Sequence, residues 1–244
     1  MLKKSILVTC FSAVSLMAAD GKNTFSLGFG GILKDSAYKN GKSKAIVLPY
    51  IDGEYENFYI RGLEGGYRMS TTDGKEFKIF IKGRLDGYKE SDADILNGME
   101  ERKNGFDGGL GAAIKTQYGK LGISVSHDIS AAGNGYSSEL EYSKNFYLKN
   151  SILVGYAGIE LQDKKTSNYY YGVKNSEALR HREAYEPNGA LNGYMGGRYI
   201  YFFDNNLFLF SNIKATRFSD TISKSNIVDK KYNALVAIAI GYKF

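Results

Sequence analysis

The sequence contains few side chains that are suited to catalysis or to metal binding. Its 244 residues include two histidines, His127 and His181, and a single cysteine, Cys10. A metal site needs several clustered ligands, and His181 stands between Arg180 and Arg182, whose positive charges repel a cation. The sequence therefore predicts no metal site and no bound cofactor.

The segment His127-Asp128-Ile129-Ser130 is the one place where residues of a hydrolase type stand together. Some membrane lipid hydrolases use a histidine and a serine near a strand end, so a lipid-A deacylase is an enzymatic alternative. Those enzymes have a His-x-Ser spacing, whereas His127 and Ser130 are three positions apart and fall on opposite faces of a strand. We therefore expect a protein that is not an enzyme.

The other reactive side chains are charges that recur at every second position. Between Glu76 and Asp86, one face carries Phe77, Ile79 and Ile81 while the other is mostly charged. Such charges line the selectivity region of a solute channel or fill a narrow barrel as a structural network of pairs, and we favour the network. The candidate lumen-lining charges are Lys78, Lys82, Arg84, Asp86, Asp107, Lys115, Glu139, Glu141, Arg198 and Lys214.

The last thirteen residues, 232–244, give the clearest alternation. One face is apolar and ends in Tyr242 and Phe244, and the other is small or polar. An apolar face with aromatic ends is typical of a strand in a transmembrane β-barrel, and the barrel assembly machinery reads a terminal aromatic as its signal. A soluble β-sandwich is the alternative. The 20 Tyr and 14 Phe, with no Trp, supply the aromatic girdles of such a barrel.

We expect residues 1–19 to be a cleaved signal peptide and residues 20–244 to form one barrel domain. Lys3 and Lys4 precede an apolar segment that ends at Ala18-Ala19. Cys10 is lost with this segment, so no thiol remains. No later run of about 18 apolar residues predicts a membrane helix. The net charge of +6 includes no dense basic patch, which argues against nucleic acid and leaves outer-membrane lipid and lipopolysaccharide as expected partners.

Eleven alternating segments are visible, whereas single-chain bacterial barrels have an even number of strands. The segment 57–70 contains Gly62 and is suspected to be two strands, and 169–173 is a candidate for a short extra strand. The prediction is an all-β fold, an antiparallel transmembrane β-barrel of about twelve strands, with ten as the alternative. The longer polar loops, 89–104, 162–188 and 218–231, all fall on the outer side when the short turns are periplasmic.

Three segments resemble the MipA/OmpV family of outer-membrane proteins. Residues 97–110 resemble the family's G-[LM]-x-x-R-x-x-x-[LF]-D-x-G-L segment, and Tyr169-Tyr170-Tyr171-Gly172-Val173 resembles its Y-Y-Y-G-V motif. Residues 225–230 resemble its S-P-[ILM]-V-[DE]-[KR] segment, with Asn226 where proline is usual. The tyrosines, together with Arg180, Arg182 and Tyr185, are candidates either for contact anchors or for loop packing at the barrel mouth, which we favour.

The resemblance implies a location in the outer membrane of a Gram-negative cell and a non-enzymatic, scaffolding role. The implied partners are a lytic transglycosylase and a penicillin-binding murein synthase. A small-solute, porin-like channel and a surface adhesin are the alternatives, because a fold does not fix a function. An outward loop cannot hold a periplasmic enzyme, so a scaffold would use the short turns or the segment 20–23.

Overall fold

The computed structural model describes residues 23–203 and 206–244. The predicted signal peptide, residues 1–19, lies outside the described residues. The strands are β1 (Thr24–Lys34), β2 (Lys44–Tyr55), β3 (Phe58–Arg61), β4 (Glu64–Ser70), β5 (Lys75–Arg84), β6 (Gly105–Thr116), β7 (Gly119–Asp128), β8 (Tyr136–Leu148), β9 (Ser151–Gln162), β10 (Ala190–Phe202), β11 (Leu207–Arg217) and β12 (Tyr232–Lys243). The helices are α1 (Lys164–Tyr171) and α2 (Asp220–Ser223), and 3₁₀ turns span Glu90–Asp92, Asp94–Leu96 and Asn175–Glu177.

The twelve strands form one closed antiparallel barrel in which each strand pairs with its neighbours in sequence. β1 pairs with β12 and closes the sheet, with Gly28 opposite Gly241. A Cβ on Gly28 would lie 2.2 Å from the carbonyl oxygen of Ile240, so only glycine permits this close approach of the two backbones. The predicted fold class and the predicted number of twelve strands are confirmed.

The period-two pattern separates an apolar outer surface from a polar lumen. Ile79, Leu110 and Ile123 point outward and are more than half exposed on the isolated chain. Residues of opposite parity on the same strands, such as Phe80 on β5 and Asp107 on β6, point inward and are about 2% exposed. Apolar residues facing lipid and polar residues facing the lumen are the arrangement of outer-membrane barrels. No helix in the described ranges is long and apolar enough to cross a bilayer.

The connections differ in length at the two ends of the barrel. The short turns at 56–57, 71–74, 117–118 and 149–150 lie at one end, and the segments 35–43, 85–104, 129–135, 163–189 and 218–231 lie at the other. Short turns are periplasmic and long loops face outward in such barrels, so we call these the periplasmic end and the outer end. The prediction that the three longest loops share one side is confirmed.

The predicted strand 57–70 is two strands. Gly62 has a φ of +56°, a left-handed conformation that favours glycine, and it turns the chain after only four residues of β3. The suggested strand at 169–173 is wrong, because Tyr169 to Tyr171 end helix α1. The side chain of Asp163 caps this helix by accepting the backbone N–H of Thr166 at 2.8 Å.

The short β3–β4 hairpin leaves a gap in the barrel wall. β3 pairs with β2 only from Asp52 to Tyr55, so the outer part of β2, residues 44–51, has a strand partner only on the β1 side. The backbone N–H of Gly62 reaches the carbonyl of Ile51 at 2.7 Å and marks the last contact on the open side. We call the gap bounded by residues 44–51, the Gly62-Leu63 turn and the end of β5 the wall window.

Candidate functional site

The outer mouth of the barrel is filled by its own loops. Tyr88, Leu96, Ile222 and Ile227 come from different positions on the 85–104 and 218–231 loops and are at most 1% exposed. Burying such a side chain contributes about 1.5–3 kcal/mol, so the loops hold one another in place. This outer plug consists of Ala37, Tyr38, Tyr88, Ala93, Leu96, Met99, Tyr170, Tyr171, Val173, Ala190, Phe218, Ile222, Ile227 and Val228.

A buried ion pair fastens two loops of the outer plug together. The Nη2 atom of Arg102 lies 2.8 and 2.9 Å from the two carboxylate oxygens of Glu177, and both side chains are 3% exposed. The Nε atom of Arg102 also donates to the carbonyl of Tyr169 at 2.8 Å. The backbone N–H groups of Glu100 and Lys174 also donate to Glu177. Each oxygen of the buried carboxylate therefore accepts two hydrogen bonds, which compensate for its removal from water.

The same environment sets the charge state of Glu177. Burial alone would raise the pKa of this carboxyl group, but the backbone N–H of Lys174 and the guanidinium of Arg102 outweigh burial and hold the pKa below its usual range. A second buried cation, Arg182, donates to the carbonyls of Asn97 and Glu177 at 2.9 and 2.7 Å. The arginine therefore bridges the 85–104 loop and the 163–189 loop through backbone acceptors.

A network of charges fills the lumen directly beneath the outer plug. Arg84 pairs with Asp107 at 2.6 Å, and its Nη2 atom donates to Ser137 at 2.9 Å. Asp86 accepts from Lys34 at 2.5 Å and faces Arg84 at 3.5 Å. These contacts link the inner faces of β1, β5, β6 and β8.

The other candidate lumen charges also lie on the inner face, but they are distributed along it. Glu139 and Glu141 accept from the hydroxyl group of Tyr194 at 2.6 and 3.0 Å. Three cations lie over aromatic rings: Lys214 Nζ is 3.9 Å from the ring centre of Tyr194, Lys82 Nζ is 5.9 Å from that of Phe80, and the Arg198 guanidinium is 5.9 Å from that of Tyr156. Lys78 forms an ion pair with Glu64 at 2.7 Å. Lys115 lines a cavity. Their role in selectivity stays a prediction.

A cavity of about 1030 Å³ lies in the lumen below the outer plug. It reaches the periplasmic turns at Thr71 and Gln117 and touches none of the residues of the outer plug. Arginines from three strands line it, namely Arg61, Arg68 and Arg198. The barrel is therefore open toward the periplasm and closed toward the outside.

The hydrolase-type segment does not form a catalytic arrangement. The Nδ1 atom of His127 lies 3.1 Å from the carbonyl oxygen of Gly135, whereas the hydroxyl group of Ser130 donates to Asp128 at 2.6 Å. Histidine and serine therefore have separate partners. Within the part of the chain that the structure describes, no three His, Cys, Asp or Glu side chains are grouped so that they hold a metal ion.

Sequence reasoning missed Arg61, Arg68 and the wall window. On one continuous strand these two arginines would point to opposite faces, because seven positions separate them. The turn at Gly62 reverses the chain and places both in the lumen. The available signal was Pro49, since a proline within an alternating strand marks a position where no neighbour accepts a backbone N–H.

The model of one protein family, described as "MltA-interacting protein MipA", matches residues 27–244. The chain belongs to this family. Among relatives, the MltA-interacting protein of Escherichia coli K12 is 28% identical over 95% of both chains. The outer membrane protein OmpV of Vibrio cholerae is 30% identical over 90% of this chain and 84% of its own length. The translocator domain of the autotransporter NalP from Neisseria meningitidis, a solved structure, covers 98% of this chain and 95% of its own at 10% identity, with a TM-score of 0.42.

The family places the protein in the outer membrane, as the sequence predicted. The three segments that resemble the family meet in the outer plug, although they lie far apart in the sequence. Arg102 of the first segment binds the carbonyl of Tyr169 in the second, and Ser225 of the third donates to the carbonyl of Tyr171 at 2.6 Å. The motif residues therefore hold the closed outer mouth together.

Proposed function

We propose that this protein is a non-conducting, non-enzymatic outer-membrane barrel that serves as a scaffold for murein enzymes through its periplasmic end. The observation that carries the proposal is the asymmetry of the lumen. The outer plug closes one end, whereas the cavity of about 1030 Å³ opens among the periplasmic turns.

The outer plug supports the non-conducting part of the proposal. Leu96, Ile222 and Ile227 are fully buried at the outer mouth. Transfer of an unpaired ion into such an apolar region costs many kcal/mol, so ions do not cross while the loops stay packed. The paired charges beneath the plug, such as Arg84 with Asp107, also occupy part of the lumen through which an ion would have to pass.

The names of the relatives supply the class of partner. Two of them are named MltA-interacting protein, and we extend that interaction to this chain as contact with a lytic transglycosylase. A penicillin-binding murein synthase is the second proposed partner. The surface proposed to reach both is the set of short turns, since the long loops face the cell exterior. The other candidate, the segment 20–23, lies outside the described residues except for Asn23. We further propose that residues 1–19 are removed on export and that Tyr242 and Phe244 form the assembly signal.

Site-specific photo-crosslinking tests the scaffold. A photoreactive amino acid is placed at Gln117 or Lys149, which are exposed in periplasmic turns, and at Glu183 as the matched position in an outer loop. We expect crosslinks to a lytic transglycosylase or a murein synthase from the periplasmic positions alone. Absence of any murein enzyme from both periplasmic positions would overturn the scaffold proposal.

A small-solute channel is the second candidate, and the size of the periplasmic cavity is the observation that favours it. This alternative requires the outer loops to move apart. Steady openings of the purified, folded barrel in a planar bilayer would support it, and a silent barrel would leave the scaffold as the better account.

A further inference from the structure

The wall window is flanked by surface that faces hydrocarbon. Val47 on β2 is 81% exposed, and the neighbouring outward residues of β1, Phe29 and Leu33, are 76% and 52% exposed. Leu63 stands at the lower rim and is 42% exposed. The seven residues from Lys44 to Tyr50 extend for about 20 Å at the usual rise of a strand. The window therefore lies within the lipid-facing band of the barrel.

The upper rim of the window is held by ion pairs. Lys44 on β2 lies 2.5 Å from Asp92 and also donates to the carbonyl of Gly87 at 3.1 Å. Lys34 on β1 donates to the carbonyl of Leu85 at 2.8 Å. These lysines bind the 85–104 loop to the outer ends of β1 and β2. The loop therefore lies over the outer edge of the window and does not fill it.

The open edge of β2 carries backbone groups that have no strand to bind. The carbonyl of Ile51 points to Gly62, on the open side of β2. The backbone polar groups of successive residues in a strand point to alternate sides, so those of Ala45, Val47 and Pro49 point to the same open side. Across residues 23–203 and 206–244, no hydrogen bond outside the strand ladder reaches the N–H of Ala45 or Val47. Pro49 has no N–H, which removes one donor that hydrocarbon could not satisfy.

The cavity behind the window has an apolar wall. Ile32, Leu48 and Phe210 line it from β1, β2 and β11, with Ala237 and Ala239 of β12 between them. Pro49, Gly62 and Leu63 line the same cavity, so it extends to the rim of the window. This composition differs from the charged opposite wall and suits the hydrocarbon part of a ligand.

Cationic groups stand at the polar end of that apolar wall. Arg61 and Arg68 both bind the single carboxylate of Glu54, the latter at 2.5 Å. Arg198 projects from the other side of the cavity, and no ion pair neutralises it among the described residues. Asp52, Glu76 and Glu141 also line the cavity, so with Glu54 there are four carboxylates. They face seven cations, which are Arg61, Arg68, Lys75, Lys115, Lys120, Lys144 and Arg198. The excess of cations leaves net positive charge for an anionic head group.

We propose that the cavity binds an anionic amphiphile with a long acyl chain, which enters sideways from the bilayer through the wall window. The acyl chain lies against Ile32, Leu48 and Phe210, and the phosphate or carboxylate head group is bound by Arg61, Arg68 and Arg198. The cavity volume of about 1030 Å³ is at the upper end of the range for small-molecule sites. This binding does not depend on a murein enzyme.

Native mass spectrometry of the purified barrel tests head-group recognition. The probes are palmitoyl lysophosphatidic acid, palmitate and the zwitterionic palmitoyl lysophosphatidylcholine. We expect both anionic probes to bind at least tenfold more tightly than the zwitterionic probe. A preference for palmitate identifies a free fatty acid as the source, and a preference for the phosphate identifies a lipid. Equal binding of all three probes, or a stable dimer joined along β2 that binds none, overturns the proposal.

The double variant Arg61→Gln/Arg68→Gln should lose at least tenfold in affinity for the preferred anionic probe. The charge-matched control is Arg180→Gln/Lys224→Gln, which removes two exposed cations from the outer loops and should bind as the unaltered protein does. Equal binding by both double variants overturns the arginine site. If the first variant does not fold, the comparison of anionic with zwitterionic probes on the unaltered barrel still decides the question.

The lateral route is tested by filling the wall window. Leu63→Trp should slow loading from lipid vesicles that contain the preferred probe at least tenfold, because the indole ring occupies the gap. Leu121→Trp is the control, since Leu121 is exposed to a similar degree on β7, which does not border the window. Equal loading rates for the two variants contradict lateral access.

Discussion

The buried pair of Arg102 and Glu177 should decide whether the outer plug stays closed. In Arg102→Ala, Glu177 loses a partner at 2.8 Å while it stays 3% exposed, and the carbonyls of Tyr169 and Glu100 lose the donors that reach them at 2.8 and 2.7 Å. Removal of one member of a buried ion pair costs about 3–5 kcal/mol. Because about 1.4 kcal/mol corresponds to a factor of ten, the open fraction of the plug should rise by at least about 100-fold.

Hydrogen exchange of the loop amides in the folded barrel measures this opening. The matched control is Lys174→Ala, which breaks the pair of Lys174 with Glu100 between the same two loops, at 53% and 65% exposure. An exposed pair is worth about 0–1 kcal/mol, so the exchange rates should change by less than about tenfold. Equal exchange in the two variants, with strand protection intact, would refute the claim that the buried pair holds the loops together.

Three further predictions concern the outer plug and barrel assembly. Since the pKa of Glu177 is held below its ordinary 4.5, its ionised form stabilises the plug above about pH 4.5, and this contribution is lost as the pH falls through the lowered pKa. Loop opening, measured as exchange relative to the intrinsic amide rate at each pH, should increase on acidification, and Glu177→Gln should abolish most of that dependence. Leu96→Ala should destabilise the plug by about 2–5 kcal/mol, because Leu96 is 0% exposed. The rate of protease cleavage in the loops measures this loss. As a control, Leu179→Ala removes an exposed side chain and should change stability by no more than about 0.5 kcal/mol. Deletion of Phe244 should reduce the yield of heat-modifiable, folded barrel in outer membranes, and an unchanged yield would remove the terminal aromatic from the assembly signal.

The strand pattern was readable from the sequence because lipid and lumen impose opposite demands on successive residues. In β5 and β12 the alternation is unbroken, and both strands were placed within a few residues of their observed limits. Gly62 marked the segment 57–70 as a candidate pair of strands, but the turn itself was not assigned, because Gly62-Leu63 makes a tight turn without a polar loop. The position of the turn follows from the sequence only on the assumption that Arg61 and Arg68 both face the lumen, because a continuous strand would point them to opposite faces.

The outer plug was less predictable because its contacts are distant in sequence. Arg102 and Glu177 are 75 residues apart, and only closure of the barrel brings their loops together. Tyr169 to Tyr171 have side chains that favour strands, yet the cap at Asp163 and the burial of Tyr170 and Tyr171 in the plug make this segment helical. The motif resemblance identified the segments but gave no information about their mutual contacts.

The closed outer mouth is the central claim, and single-channel conductance of the folded protein in a planar bilayer tests it most directly. We expect no steady openings from the unaltered barrel and intermittent conductance from Arg102→Ala, in which the plug loses its buried pair. Steady openings of the unaltered protein, with an ion preference that changes in Lys82→Glu or Arg84→Glu, would contradict the account and make the protein a channel.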